Sequence, residues 1–158
     1  ELETLGAYML LRPHQNDLRS RTLVEELAAR ASGRFVAAGN DHVTDVAAIL
    51  PFVDVVITDY SSIYIDLLLR DVPPVFVAYD LEEYARTRGF AYDYNLVTPG
   101  PKVDSFSGFL DALAEALDHA PDFAQHRAFV RSMFHTHTDG KSCERVSRAA
   151  ERLVRGRQ

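Results

Sequence analysis

The sequence predicts an α/β protein, a Rossmann-like parallel sheet with flanking helices. Two observations carry this. Short apolar runs alternate with helical stretches, the strand–helix rhythm that parallel crossovers require. The run Val53 to Ile57, β-branched apart from Asp54, then stops at the polar turn Thr58-Asp59-Tyr60-Ser61-Ser62, and a strongly apolar helical stretch follows. A run of that composition suits a central parallel strand.

Taken in order, Ala7 to Leu11 reads as the first strand, ended by Arg12-Pro13-His14 because proline lacks a ladder donor. Asn16 or Asp17 can cap the next helix. There Leu23, Val24, Leu27, Ala28 and Ala31 form one apolar stripe, Glu26 and Arg30 make an i,i+4 pair, and Gly33 stops the helix. Arg34 to Ala38 is strand two. Asp41 to Pro51 reads as a short helix with Val43, Val46, Ala47 and Leu50 facing the sheet. Strand three is Asp54 to Ile57.

The helix Ser62 to Leu69 is apolar on most sides and predicted to be buried. Pro73-Pro74 precedes strand four, Val75 to Tyr79. Asp80 to Arg88 is a short helix with Leu81 and Tyr84 inward, ended by Gly89. Phe90 to Pro101, rich in aromatics with two Pro and one Gly, reads as an ordered loop. Three helices close the chain: Phe106 to His119, Asp122 to Phe134 with Phe123, Phe129, Val130 and Met133, and Lys141 to Val154 with Val146, Ala149, Ala150 and Leu153 inward. Arg152 to Gln158 is polar and expected to fray.

The bulk numbers exclude several classes. With 158 residues, 47% of them hydrophobic, the chain has enough for one packed core. A formal charge of −6 argues against a broad basic surface for nucleic acid. No apolar run approaches the roughly 20 residues of a membrane-spanning helix. The single cysteine, Cys143, forms no internal disulfide and fits a reducing compartment. No signal peptide is visible, and the missing initiator Met suggests a piece of a longer polypeptide.

The candidate chemistry starts at the turn after strand three. A helix beginning at Ser61 or Ser62 leaves its first N–H groups free, and such groups with serine hydroxyls bind phosphate. The same residues also make an ordinary helix cap. Thr58 and Asp59 lie at the carboxyl end of the strand, where α/β ligands usually sit. A carboxylate there repels phosphate, so Asp59 is expected to orient the turn or meet a hydroxyl. His14, with Arg12 two residues before it, could neutralise a diphosphate or be a plain loop histidine. Arg88, before a Gly-bounded aromatic turn, is a further phosphate candidate. Tyr92, Asp93, Tyr94 and Asn95 could wall a pocket or pack under the loop. His135 and His137 fall short of the three or four converging ligands that zinc needs. Asp139 can cap the last helix, which brings Ser142 and Glu144 into its first turn. There is no Walker loop, no Gly-x-Gly-x-x-Gly fingerprint and no Gly-x-Ser-x-Gly elbow.

Together these blocks resemble the CDP-glycerol glycerophosphotransferase family, the teichoic acid priming enzymes and polymerases and related capsule-polymer transferases. The resemblance rests on Ile57 to Ser62 with the apolar helix after it, Tyr79 to Tyr84 with Arg88-Gly89-Phe90, and Arg12-Pro13-His14. Pro99-Gly100-Pro101 and Asp139-Gly140-Lys141-Ser142-Cys143-Glu144-Arg145-Val146 match two further blocks. It spans nearly the whole chain in the family's order. Phe134-His135-Thr136-His137 departs from it, standing where the family often has an Asn-containing aromatic stretch.

The resemblance implies the C-terminal half of a GT-B type fold: one nucleotide-donor-binding domain over 1–158, its last helices (about 106–154) packing on it or crossing back. It implies CDP-glycerol or a related CDP-alcohol as donor, a cell-wall or capsular polymer as acceptor, and release of CMP. His14 would bind or activate the donor diphosphate. Ser61 and Ser62 would touch phosphates with Arg88 as companion, and Ser142 and Glu144 would lie near the nucleotide. Arg12, Thr58 and Asp59 complete the donor-binding set, Asp59 by orienting the turn or meeting a hydroxyl. The catalytic base would lie in an N-terminal domain, so the fragment alone is expected to be inactive. No tightly bound cofactor is called for, though Mg²⁺ could accompany the donor. The parent protein would be peripheral on the inner face of the cell membrane. The alternatives are a GT-B glycosyltransferase domain taking a nucleotide sugar and a non-catalytic α/β binding module. A phosphorelay receiver would need an acidic cluster where Arg12 and His14 stand.

Overall fold

The structure is a computed structural model and describes residues 1–13, 18–30, 33–39, 41–118 and 122–156. The chain divides into two compact units, Glu1–Val53 and Asp54–Gln158.

In the first unit β1 (Met9–Leu11) and β2 (Phe35–Ala37) pair in parallel, Met9 opposite Phe35 and Leu11 opposite Ala37. Parallel neighbours need a crossover. Helix α1 (Leu18–Arg30) supplies it and packs on β2. Gly33, at φ 74°, turns the chain into β2, and a left-handed residue of this kind favours glycine. The helix buries less than its periodicity predicts: Val24 is buried, but Leu23 and Leu27 are exposed. Two strands of three residues cover only a narrow strip of the helix. Asn16, Asp17 and Ala31 lie outside the described residues.

The predicted helix over 41–51 is instead two 3₁₀ turns, Val46–Ala48 and Leu50–Phe52, with no buried residue in either. Asp45 caps the first by accepting from the Ala47 amide at 2.9 Å. Pro51 lies inside the second, where an α-helix would lose its N–H and collide with the ring. Without an apolar face to bury, nothing offsets that cost.

The second unit is built on β4 (Pro74–Val77), which lies between β3 (Val56–Thr58) and β5 (Lys102–Val103), all parallel. Pro74 is tolerated because it is the strand's first residue. Alternate side chains of β4 point to opposite faces. Phe76 joins Tyr64, Leu68 and Val130 on one face, and Val75 joins Ala112 and Ala116 on the other. Helices α2 (Ile63–Leu67) and α6 (Ala124–Phe134) therefore cover the first face, and α5 (Phe106–Leu117) covers the second. Ser105 caps α5 through the Gly108 amide.

Several elements differ from expectation. Helix α2 has five residues and passes into a 3₁₀ turn, Leu68–Arg70, ended by Asp71 at φ 57°. The region 90–101 is not all loop. It holds a helical turn, α4 (Tyr94–Val97), because the Asp93 carboxylate accepts from the Leu96 amide at 3.0 Å. In α6 only Arg127 and Val130 are buried, and Phe129 and Met133 are exposed. Helix α7 (Ser142–Arg155) buries no residue, so Val146 and Leu153, expected inward, are exposed. It remains helical through Arg155, beyond the predicted start of fraying. Among the described residues no helix is long and apolar enough to cross a membrane.

Arg127 ties α6 to the left-handed turn. Its Nε donates to Asp71 Oδ1 at 2.8 Å, with the Arg127 side chain 8% exposed and Asp71 50% exposed. Water can rehydrate the aspartate if the arginine is lost. Arg127→Ala is therefore expected to cost about 1–3 kcal/mol, below the toll of breaking a fully buried pair. Urea unfolding checks this, and an unchanged midpoint would show the pair to be stability-neutral.

Candidate functional site

The turn between β3 and α2 is held by its own acid. Asp59 Oδ1 accepts from the Tyr60 amide at 2.6 Å and the Ser61 amide at 3.3 Å. The carboxylate thus orients the backbone, one of the two roles expected of it. Ser61 Oγ accepts a long 3.4 Å bond from the Ile63 amide. Ser62 occupies the cap position of α2, yet its hydroxyl makes no capping bond. Both serines are exposed. Two hydroxyls thus stand together behind a strand end, one barely used and the other not used for capping. They can donate to an anion. With α2 so short, the helix dipole adds little. The Tyr60, Ser61 and Ile63 amides, expected to be free, are taken by Asp59 and Ser61, so an anion here would rest chiefly on the two hydroxyls.

Around this turn lies an aromatic cluster; the sequence reading named Tyr84 as inward and Tyr94 as wall or packing, but missed that Tyr60 joins them. The Tyr60 ring stacks on Tyr84 of α3 (Leu81–Thr87) with centroids 3.8 Å apart. Phe90 stacks on Tyr84 at 5.3 Å and Tyr94 lies 5.1 Å from Phe90. The Tyr94 hydroxyl donates to the Asp59 carbonyl at 3.3 Å, and the Tyr60 hydroxyl to Asp80 Oδ1 at 2.5 Å. Burial and the Asp80 carboxylate both push the Tyr60 phenol up from its ordinary pKa. Burial, then Tyr64 and Asp59, raise Tyr94 to about 12. These phenols stay neutral and able to donate through the physiological range. The available signal was the density of tyrosines flanking the serines and the short helix after Asp80.

The other predicted residues fall in separate places. Thr58 ends β3 and leads into the turn. Arg88 is the C-cap of α3 and exposed, so the Tyr60–Tyr84 stack brings its helix to the turn. Ser142 and Glu144 are exposed on the first turn of α7, with Glu144 paired to Arg148. Asp139 does not occupy the cap position, which belongs to Lys141. It accepts from the Lys141 amide instead and pairs with both Nη atoms of Arg145, which hold its carboxyl well below the usual range. No hydrogen bond or ion pair among the described residues joins α7 to the serine turn.

Arg12 belongs to the first unit and donates to the carbonyls of Ala38 at 3.0 Å and Val43 at 2.7 Å. His14 lies outside the described residues. Among the described residues no three His, Cys, Asp or Glu side chains are grouped to hold a metal. His135 Nε2 lies 2.8 Å from the Ile65 carbonyl and links α6 to α2.

The family model of CDP-Glycerol:Poly(glycerophosphate) glycerophosphotransferase matches residues 5–152. The chain is similar to the teichoic acid glycerol-phosphate transferase of Staphylococcus aureus, 32% identical over 103 residues, 65% of this chain and 26% of that protein. It is also similar to the teichoic acid ribitol-phosphate polymerase TarK of that species, 37% identical over 109 residues, 68% of this chain and 20% of that protein. Among solved structures it follows the wall teichoic acid polymerase TagF, with a TM-score of 0.75 at 22% identity, over 99% of this chain and 38% of that one. The chain thus spans a minor part of each. Its fold is the GT-B-like α/β arrangement of that structure, with small parallel sheets flanked by helices. The domain is related to enzymes named for transferring or polymerising glycerol phosphate or ribitol phosphate in teichoic acid.

Proposed function

We propose, from the premise that the chain belongs to the CDP-Glycerol:Poly(glycerophosphate) glycerophosphotransferase family, that it is the donor-binding domain of such a transferase. The donor is CDP-glycerol or a related CDP-alcohol, and the acceptor a cell-wall or capsular polymer. The observation that carries this is the serine pair behind β3, exposed while Asp59 braces the backbone beneath it.

Residues 1–158 form one donor domain in this reading, and an N-terminal domain of the longer protein supplies the base. The acceptor hydroxyl loses its proton to that base and attacks the alcohol-linked phosphorus. The bond from that phosphorus to the bridging oxygen breaks, and CMP leaves with the electron pair. Ser61 and Ser62 donate to the diphosphate oxygens, and His14 stabilises the charge that grows as the bond breaks. Arg88 and Arg12 add positive charge to the phosphates. Thr58 shapes the turn, and Ser142 and Glu144 approach the nucleotide. The longer protein works on the inner face of the cell membrane, where its acceptors are anchored.

Calorimetric titration with CDP-glycerol, CMP and a UDP-sugar tests the assignment. CDP-glycerol is expected to bind tightest. Losing one hydrogen bond to a charged group costs about 1.5–3 kcal/mol. Ser61→Ala and Ser62→Ala are therefore each expected to weaken CDP-glycerol binding about 10-fold or more. In the full-length protein His14→Ala is expected to lower kcat by roughly 10²-fold or more with the Tm unchanged. Preference for the UDP-sugar would overturn the donor class. A folded full-length protein that binds none of the three would overturn the reading.

A further inference from the structure

Asp80 stands at the N-cap of α3, a position where aspartate ordinarily accepts from its own helix's amides. Here it makes no capping bond. Its carboxylate instead takes the Tyr60 hydroxyl, twenty residues upstream, at 2.5 Å. A cap lost in this way costs a helix about 1 kcal/mol. A seven-residue helix has little stability to spare, so the carboxylate's diversion calls for a return elsewhere in the fold.

That return is at the serine turn. Tyr60 sits between Asp59, which braces the backbone, and Ser61 and Ser62. Its ring is stacked on Tyr84, one helical turn beyond Asp80, at 3.8 Å and 22° between planes. The phenol is therefore gripped at two points by α3, one polar and one aromatic. Tyr94 holds the same turn from another side through the Asp59 carbonyl. The serine hydroxyls are held far more lightly: Ser61 Oγ accepts only the long 3.4 Å bond from the Ile63 amide, Ser62 makes no capping bond, and both residues are exposed. A turn that is braced in its backbone yet only lightly engaged at its hydroxyls is preorganised for a ligand.

We infer that Tyr60 is a positioning residue: its bond to Asp80 and its stack on Tyr84 lock the Asp59–Ser62 turn to α3, holding both serines in the pose that receives the donor's diphosphate. This rests on the donor-binding reading. It adds that α3, whose last cap is Arg88, moves with the turn as one body. Tyr60 itself touches no ligand, so its loss acts through the serines.

The test uses the full-length protein with CDP-glycerol as probe. Tyr60→Phe keeps the ring stack and removes the hydroxyl, Asp80→Ala removes the acceptor, and Asp80→Asn keeps an acceptor oxygen. Tyr60→Phe and Asp80→Ala are each expected to raise the KM for CDP-glycerol about 10-fold with kcat within about 2-fold. The double variant is expected to be no worse than either single, because both break one bond. Asp80→Asn is expected to restore most of the affinity. In ligand-free protein, hydrogen exchange at the Ser61 to Ile63 amides is expected to quicken about 10-fold or more in Tyr60→Phe.

Unchanged exchange in Tyr60→Phe would overturn the inference whatever the donor proves to be. So would multiplicative effects of the two singles, a fall in kcat with KM untouched, or an Asp80→Asn variant as poor as Asp80→Ala. If Ser61→Ala and Ser62→Ala weaken binding while Tyr60→Phe does not, the positioning role fails and the donor reading stands. If none of these variants affects CDP-glycerol, both fall together.

Discussion

Gly100→Ala is expected to unfold much of the second unit. A Cβ at Gly100 would lie 2.0 Å from the Pro74 carbonyl oxygen and 3.0 Å from its carbonyl carbon. Both are backbone atoms at the start of β4, so no side chain can swing aside. Relief requires the strand or the Thr98 to Pro101 segment to move. That segment feeds β5, and the Phe76 amide already donates to the Pro101 carbonyl at 2.9 Å. Moving it breaks the β4–β5 pairing. The expected loss exceeds about 3 kcal/mol, large against a total of roughly 5–15 kcal/mol for a domain. Thermal and urea unfolding check it. A variant with a native midpoint would mean that the close approach is looser than 2.0 Å implies.

Phe76→Ala carries the second large effect. The ring is fully buried at the centre of β4. It meets the Tyr64 ring edge-on at 5.1 Å and Tyr94 at 6.2 Å. Removing a buried phenyl costs about 3–5 kcal/mol through lost burial and the cavity left behind. The site should feel it too, since Tyr94 braces the serine turn through the Asp59 carbonyl and leans on Phe76. CDP-glycerol affinity is expected to fall several-fold even where the variant remains folded. Phe76→Leu, which keeps most of the volume, should recover most of the stability. Chemical denaturation and calorimetry on the same samples separate the two effects. A variant that loses stability but keeps full affinity would show that the ring does not support the site.

How much could be read in advance follows from the range of each signal. A strand over Asp54 to Ile57, observed at Val56–Thr58, the serine turn and the alternation of four strands with helices were legible because β-branched runs, caps and Gly or Pro stops are local; the two-residue β5 (Lys102–Val103) was not. Charge alone narrowed Asp59 to orienting the turn or meeting a hydroxyl, and its bonds to the Tyr60 and Ser61 amides select the first. Periodicity was less informative. It marks an apolar face but not what covers it, so α1 and α7 showed stripes at Leu23, Leu27, Val146 and Leu153 that the structure leaves exposed. The stretch 41–51 looked helical by pattern, but Pro51 and the want of a buried face left only 3₁₀ turns.

By itself the sequence determined the α/β class, the turn that presents Ser61 and Ser62, and the family resemblance. Those rest on residue type and on spacings of a few positions. Only the tertiary structure decided which acid holds which group. Asp80 forgoes its own helix for Tyr60, Asp71 meets Arg127 across 56 positions, and Gly100 lies against Pro74. Such pairs form only once the chain brings distant segments together, and no local pattern states which partner a carboxylate or a bare Cα will find.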